Sequence, residues 1–129
     1  MNTSKIRASV AAAAIAATLF TPSIAEAGDG ETVRSGACSG VANWKLKLSP
    51  QNGRIEVEYE VDANRRGQQW RVTLFHNGRR VMRDTLTTRG LSGSFSVTDL
   101  EPNRAGNDAI RARAVRLGNG QTCSGRASF

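Results

Sequence analysis

Residues 44–61 read WKLKLSPQNGRIEVEYEV, and this stretch decides the fold class. In its first part, 44–48, apolar residues alternate with lysines, and in its last part, 55–61, they alternate with glutamates. A period of two places one set of side chains in a core and the other set in water, as in a half-buried β-strand. The segment SPQNG between the two parts is rich in turn-forming residues. The stretch therefore predicts two successive strands.

The same alternation continues toward the C terminus. Trp70, Val72 and Leu74 indicate a third strand, and the Asn77-Gly78 pair after it is a strong signal for a two-residue hairpin. Four further strands are predicted at about 80–87, 94–100, 109–117 and 121–129. Seven short strands separated by turns predict an all-β fold, a single seven-stranded antiparallel β-sandwich.

Part of the chain resembles a known class of domain. The segment SFSVTDLEP at 94–102, followed by IRARAV at 110–115, resembles the fifth-to-sixth strand passage of fibronectin type III and related immunoglobulin-like domains. Ala109 and Ile110 stand where that family usually has a corner tyrosine. The overall layout is also similar to that of small secreted bacterial proteins. The resemblance implies an immunoglobulin-like sandwich and no particular function, because this fold hosts many unrelated activities.

The first 27 residues have the build of a secretory signal peptide. Lys5 and Arg7 precede an apolar run at 10–20, and Ala25-Glu26-Ala27 is a small-x-small cleavage site. The run is too short to span a membrane, since a spanning helix needs about 20 apolar residues. We therefore expect a signal helix that is cleaved between Ala27 and Gly28, and a secreted protein without a lipid anchor.

Cleavage at that bond defines the expected domain organisation. It leaves a flexible segment at 28–36 and a β-sandwich domain at 37–129. Cys38 and Cys123 then enter an oxidising compartment, where two cysteines indicate one disulfide. A metal or redox site is the alternative, but the chain has no CxxC motif and a single histidine. We expect no cofactor.

The chain is basic, with a formal net charge of +7. If the first, second and fifth predicted strands form one sheet, its outward lysines and glutamates face each other across strands. The outward residues of the other sheet are then mostly arginines with few carboxylates opposite them. This predicts a candidate binding face formed by Arg71, Phe75, Arg83, Arg111, Arg113 and Arg126.

A basic face of this kind attracts polyanions. The expected partner is an anionic cell-wall polymer, and an extracellular protein is the second possibility. The aromatic residues are too few for a stacking platform, which argues against nucleic acid. An ordinary solvated face that keeps the protein soluble is the alternative interpretation.

No complete catalytic set is recognisable, so we expect a protein that is not an enzyme. His76, beside the Asn77-Gly78 turn, is expected to be an exposed turn residue. The glutamates at 56, 58 and 60 could act as acid and base in a hydrolase, but the pattern is more typical of the solvent side of a strand. The acidic residues of the loop at 99–108 could hold calcium, or could serve local hydrogen bonding in turns.

A second candidate function rests on the loop at 64–67, which reads NRRG. The small size, the disulfide and this projecting basic loop are compatible with an inhibitor of an extracellular protease. Arg65 or Arg66 would enter a trypsin-like specificity pocket, where a carboxylate pairs with the guanidinium. An ordinary surface loop is the alternative.

Overall fold

The computed structural model describes residues 30–129, which form two antiparallel β-sheets. Its strands are β1 (Thr32–Ala37), β2 (Asn43–Gln51), β3 (Arg54–Asp62), β4 (Gln69–His76), β5 (Arg79–Thr87), β6 (Ser94–Pro102), β7 (Ala109–Arg116) and β8 (Thr122–Ser128). One sheet has the order β1-β2-β3-β6 and the other β5-β4-β7-β8. Across this range no helix could span a membrane. The expected signal helix and its cleavage site at Ala27 and Gly28 lie outside the described residues.

The strand count differs from the prediction, because the structure has eight strands where the sequence predicts seven. The additional strand is β1, which occupies most of the segment that the sequence predicts to be flexible. β1 pairs with β2, and Gly36 lies opposite Trp44, so close that a Cβ would stand 2.9 Å from the Trp44 ring. None of its residues is fully buried, so the strand is held mainly by backbone pairing. Its sequence therefore shows only a weak hydrophobic alternation.

The other strands divide between the two sheets in the way that was assumed in interpreting the outward charges. β2, β3 and β6 share one sheet, whereas β4, β5, β7 and β8 form the other. The inward residues of both sheets form one core, in which Trp70 and Tyr59 are the largest fully buried side chains. The Trp70 and Phe95 rings meet across the sheets with centroids 6.2 Å apart. The result is an all-β fold that resembles a sandwich.

The predicted disulfide is present and joins the two sheets at one edge. Cys38 follows β1, and Cys123 lies fully buried in β8. Close to this bridge, the Tyr59 hydroxyl of β3 donates a hydrogen bond to the Cys123 carbonyl oxygen at 3.1 Å. Burial raises the pKa of the Tyr59 phenol far above its ordinary value, so this hydroxyl keeps its proton at neutral pH. The bridge and the bond together tie β1 and β3 of one sheet to β8 of the other.

Gly93 occupies a position where a side chain does not fit. Its φ is +63°, and a Cβ there would collide with the Arg65 backbone nitrogen. Gly93→Ala is expected to lower the free energy of unfolding by about 2–4 kcal/mol, because left-handed strain adds to the displacement of a neighbouring backbone. Gly106→Ala is the control, since its φ is +85° but no atom lies within 4 Å. Urea unfolding of both variants is the measurement, and equal losses would contradict the role of the Arg65 contact.

Candidate functional site

The structure places the predicted basic residues on the outer side of the β5-β4-β7-β8 sheet. Along β4, Arg71 and Phe75 alternate with the buried Trp70, Val72 and Leu74. Strand pairing then extends the outer side across the sheet: Arg83 lies opposite Thr73, Arg111 lies opposite Phe75, Arg113 lies opposite Thr73, and Arg126 lies opposite Arg111. We call Arg71, Phe75, Arg83, Arg111, Arg113 and Arg126 the arginine face.

Phe75 is the aromatic centre of this face. The Arg111 guanidinium carbon stands 4.2 Å from the centroid of the Phe75 ring, which is a cation–π contact. A shallow depression of about 400 Å³ lies beside the ring and is bordered by Arg111 and Arg126. The contact holds one guanidinium in place against the sheet, while the other arginines of the face extend toward solvent.

The arginines of this face have no opposing carboxylates. Asp84 is the one acidic residue on β4, β5, β7 and β8. Its carboxylate accepts a hydrogen bond from the Thr85 backbone N–H at 2.8 Å. Within residues 30–129, no arginine of the face forms an ion pair. The five guanidinium groups therefore carry uncompensated positive charge.

The other sheet has a balanced outer side. Lys45 lies opposite Glu60, and Lys47 lies opposite Glu58. These cross-strand pairs are the ones that the alternating pattern predicts, and their opposite charges attract each other. The glutamates thus have a structural explanation as the solvent side of β3.

His76 lies where the sequence analysis did not expect it. The prediction of an exposed turn residue is wrong, because His76 is the last residue of β4 and only 5% exposed. Its Nδ1 lies 2.9 Å from Glu101 Oε1, and its Nε2 lies 2.6 Å from Asp108 Oδ1. The inward alternation of Trp70, Val72 and Leu74 continues to His76, and this signal could have placed it inside.

Both ring nitrogens of His76 can donate hydrogen bonds at the same time only in the imidazolium form. Asp108 is fully buried, and burial alone would raise the pKa of its carboxyl. Hydrogen bonds from His76, from the Arg104 backbone N–H and from the Asn77 side chain outweigh burial and lower that pKa. Asp108 is therefore an ionised carboxylate held inside the protein by its partners.

Asp99 has the opposite environment. Its Oδ2 is buried without a hydrogen-bond partner, and burial together with the neighbouring Glu101 raises the pKa of its carboxyl. The carboxylates of the acidic loop do not surround one common point, because Glu101 and Asp108 bind different ring nitrogens of His76. Within residues 30–129 no group of side chains is arranged to hold a metal ion.

A cleft of about 530 Å³ opens at the same end of the molecule. His76 and Glu101 line this cleft, together with three exposed arginines, Arg79, Arg80 and Arg104. We call this the end cleft. Sequence reasoning missed it, because its residues come from β4, β5, β6 and the loop after β6, and no local pattern links them.

The loop that carries Arg65 and Arg66 is a tight turn. The Arg65 carbonyl oxygen accepts a hydrogen bond from the Thr88 hydroxyl at 2.6 Å, and the Gly67 N–H donates to the Thr88 carbonyl oxygen at 2.9 Å. Both arginines are exposed. Peptides recognised by strand addition are extended, and this loop is not. The inhibitor function stays a prediction from sequence.

Comparison with known proteins adds no functional information. No protein family matches the chain, and no curated protein is significantly similar to it. The strand pairing shows the two-sheet architecture.

Proposed function

We propose that this protein is a small secreted binding module without catalytic activity, which contacts anionic cell-wall or extracellular polymers through the arginine face. The observation that carries the proposal is the set of five exposed arginines on one sheet with no ion-pair partner in the described chain. Secretion is supported by the Cys38–Cys123 disulfide, since disulfides persist in oxidising compartments.

The layout of the face suits a linear polymer better than a single small anion. Arg111 and Arg126 lie side by side on neighbouring strands, whose spacing is about 4.8 Å. Arg113 lies two residues further along β7, a step of about 7 Å. A row of guanidinium groups at these intervals can meet successive phosphate, sulfate or carboxylate groups, each of which an arginine binds in bidentate fashion.

We also propose that the sandwich is immunoglobulin-like. Without β1, the two sheets hold three and four strands, which is the division of the seven-stranded immunoglobulin-like sandwich. Such domains present flat sheet faces and end loops as separate binding surfaces. This division supports a binding role for the face, although the fold alone assigns no ligand.

Removing the charge of the face is expected to abolish salt-sensitive binding. The test variant changes Arg71, Arg111, Arg113 and Arg126 to serine, and the probes are immobilised heparin and purified cell walls. For a polyanion with the charge density of duplex DNA, each neutralised charge contributes about −0.9 to the slope of log affinity against log salt. The loss of four arginines is therefore expected to flatten this slope by about 3–4.

A charge-matched control separates the face from net charge. Changing Arg34, Lys45, Lys47 and Arg54 to serine removes the same charge from the other sheet, and this variant is expected to keep most of its retention. The far-ultraviolet circular dichroism and urea midpoints of both variants check that the fold is intact, since Lys47 of the control is partly buried and pairs with Glu31. Equal loss of retention in the two variants, or unchanged retention without the four arginines of the face, would overturn the proposal.

A further inference from the structure

The end cleft contains hydrogen-bond donors that nothing in the described chain uses. The guanidinium groups of Arg79, Arg80 and Arg104 form no ion pair and no hydrogen bond within residues 30–129, although they border one cleft. Glu101 is the carboxylate on the cleft wall, and its Oε1 is already engaged by His76. The cleft therefore presents an excess of positive charge and of N–H donors, which favours the binding of an anion.

The elements that carry these arginines are held in place by hydrogen bonds to Asp108 and Ala109. Asp108 binds His76 through Oδ1, and its Oδ2 accepts the Arg104 backbone N–H at 3.0 Å. On the other side, Asn77 exchanges two hydrogen bonds with Ala109: its N–H donates to the Ala109 carbonyl, and its Oδ1 accepts the Ala109 N–H, both at 2.8 Å. These bonds thus fix both the turn that precedes Arg79 and the loop that carries Arg104.

A preformed site loses less entropy when a ligand binds. Here His76 also occupies Glu101 Oε1 and Asp108 Oδ1, and within residues 30–129 neither carboxylate forms an ion pair with an arginine of the cleft. The His76 network consequently has a positioning role: it sets the distance between the β4–β5 turn and the loop after β6, and leaves the three guanidinium groups available to a ligand.

We propose that the end cleft binds a small phosphomonoester, with the dianionic phosphate held by Arg79, Arg80 and Arg104. Arginine forks match the oxygens of a tetrahedral phosphate in bidentate fashion, and three of them suit a dianion better than a monoanion. The volume of about 530 Å³ is within the range of small-ligand sites and exceeds what a bare phosphate needs. Val81 and Pro102 supply apolar wall for the organic part of the ligand. This site shares no residue with the arginine face.

The test uses glucose 6-phosphate as the probe, titrated into the oxidised protein and followed by calorimetry and by amide chemical shifts. We expect saturable binding with a Kd of about 1 mM or tighter. Glucose and inorganic phosphate are each expected to bind at least about tenfold more weakly, because glucose lacks the phosphate contacts and inorganic phosphate lacks the contacts of the sugar. Glucose 6-sulfate has the same body and a single negative charge, and is also expected to bind more weakly.

Two double variants locate the site. Arg79→Ser/Arg104→Ser removes two cleft arginines and is expected to weaken glucose 6-phosphate binding by about 100-fold, since a hydrogen bond to a charged group contributes about tenfold or more. Arg111→Ser/Arg126→Ser removes the same charge from the arginine face and is expected to change the Kd by less than about threefold.

The possible outcomes decide the proposal and separate it from the polymer-binding function. Absence of glucose 6-phosphate binding, equal weakening by the two variants, or equal affinity for inorganic phosphate would each overturn the phosphomonoester site. Heparin retention reports on the arginine face alone in the cleft variant, because all residues of the face remain there. Absence of saturable glucose 6-phosphate binding with intact heparin retention would therefore remove this inference and leave the proposed function standing.

Discussion

Asp108→Ala is expected to lower the free energy of unfolding by about 3–5 kcal/mol at pH 7, because it removes a carboxylate that accepts two hydrogen bonds, and a hydrogen bond to a charged group contributes about 1.5–3 kcal/mol. The substitution removes a fully buried carboxylate and leaves the buried His76 Nε2 and the partly buried Arg104 backbone N–H without their acceptor. Urea unfolding followed by tryptophan fluorescence is the measurement, since Trp70 lies fully buried in the core. A loss below about 1 kcal/mol would contradict the buried charge network.

The pH dependence of this loss has a definite sign. The pKa of Asp108 is lowered in the folded protein, so its stabilising contribution is present above the unfolded value of about 3.9 and is lost as the pH falls through the folded pKa. The difference in stability between the wild-type protein and Asp108→Ala is therefore expected to shrink below about pH 4. A difference that grows on acidification would contradict this assignment.

Asp99→Asn is the control within the same cluster. The pKa of Asp99 is raised by burial and by Glu101, so its charge destabilises the folded state once the pH rises above the ordinary carboxyl range. Removing that charge is expected to leave the protein at least as stable as the wild-type protein at pH 7. Removing the charge is therefore expected to lower the free energy of unfolding at Asp108 but not at Asp99. If this end of the fold were sensitive to any substitution, both variants would be less stable than the wild-type protein.

Loss of the disulfide is expected to lower the free energy of unfolding by about 4–5 kcal/mol, on the chain-entropy account of a loop this long. Cys38 and Cys123 are 85 residues apart, so the bridge constrains most of the unfolded domain. Cys38→Ala/Cys123→Ala is the variant of choice, because Cys123 is fully buried and serine would place a hydroxyl in the core. Urea unfolding is the measurement, with the fully reduced wild-type protein as the control.

Loss of the disulfide is expected to destabilise β1 more than the other strands. This strand pairs with β2 alone, and the bridge begins one residue after it ends. Hydrogen exchange of the β1 amides is therefore expected to accelerate more than that of the β3 amides, which lie between two strands. Uniform acceleration in both strands, or a variant within about 1 kcal/mol of the wild-type protein, would contradict a bridge that anchors this edge.

Much of the fold can be predicted because its signal is local. The alternation in β2, β3 and β4 assigns inward and outward faces residue by residue, and it places Trp70 and Tyr59 in the core, where they lie. The lysine–glutamate pairing of the first sheet follows from the same alternation. β1 escaped prediction, because its residues are mostly small or polar and its order comes from the neighbouring strand and the bridge.

The candidate sites also differ in how far local sequence patterns predict them. The arginine face could be predicted residue by residue, because alternation along each strand fixes which side chains point outward. The environment of His76 could not, since its partners Glu101 and Asp108 are 25 and 32 residues away in the sequence. The alternation along β4 indicates that His76 points inward, but it does not identify the side chains that meet the ring there.

The sequence by itself determined the all-β class, the inward and outward faces of β2, β3 and β4 and the pairing of the two cysteines, because short-range periodicity and thiol chemistry decide these. Only the tertiary structure decided that β1 joins the sheet, that His76 is enclosed by two carboxylates, and that Arg79, Arg80 and Arg104 border one cleft. The physical reason is that buried charge and clefts arise where distant segments meet, and no local pattern records which segments will do so.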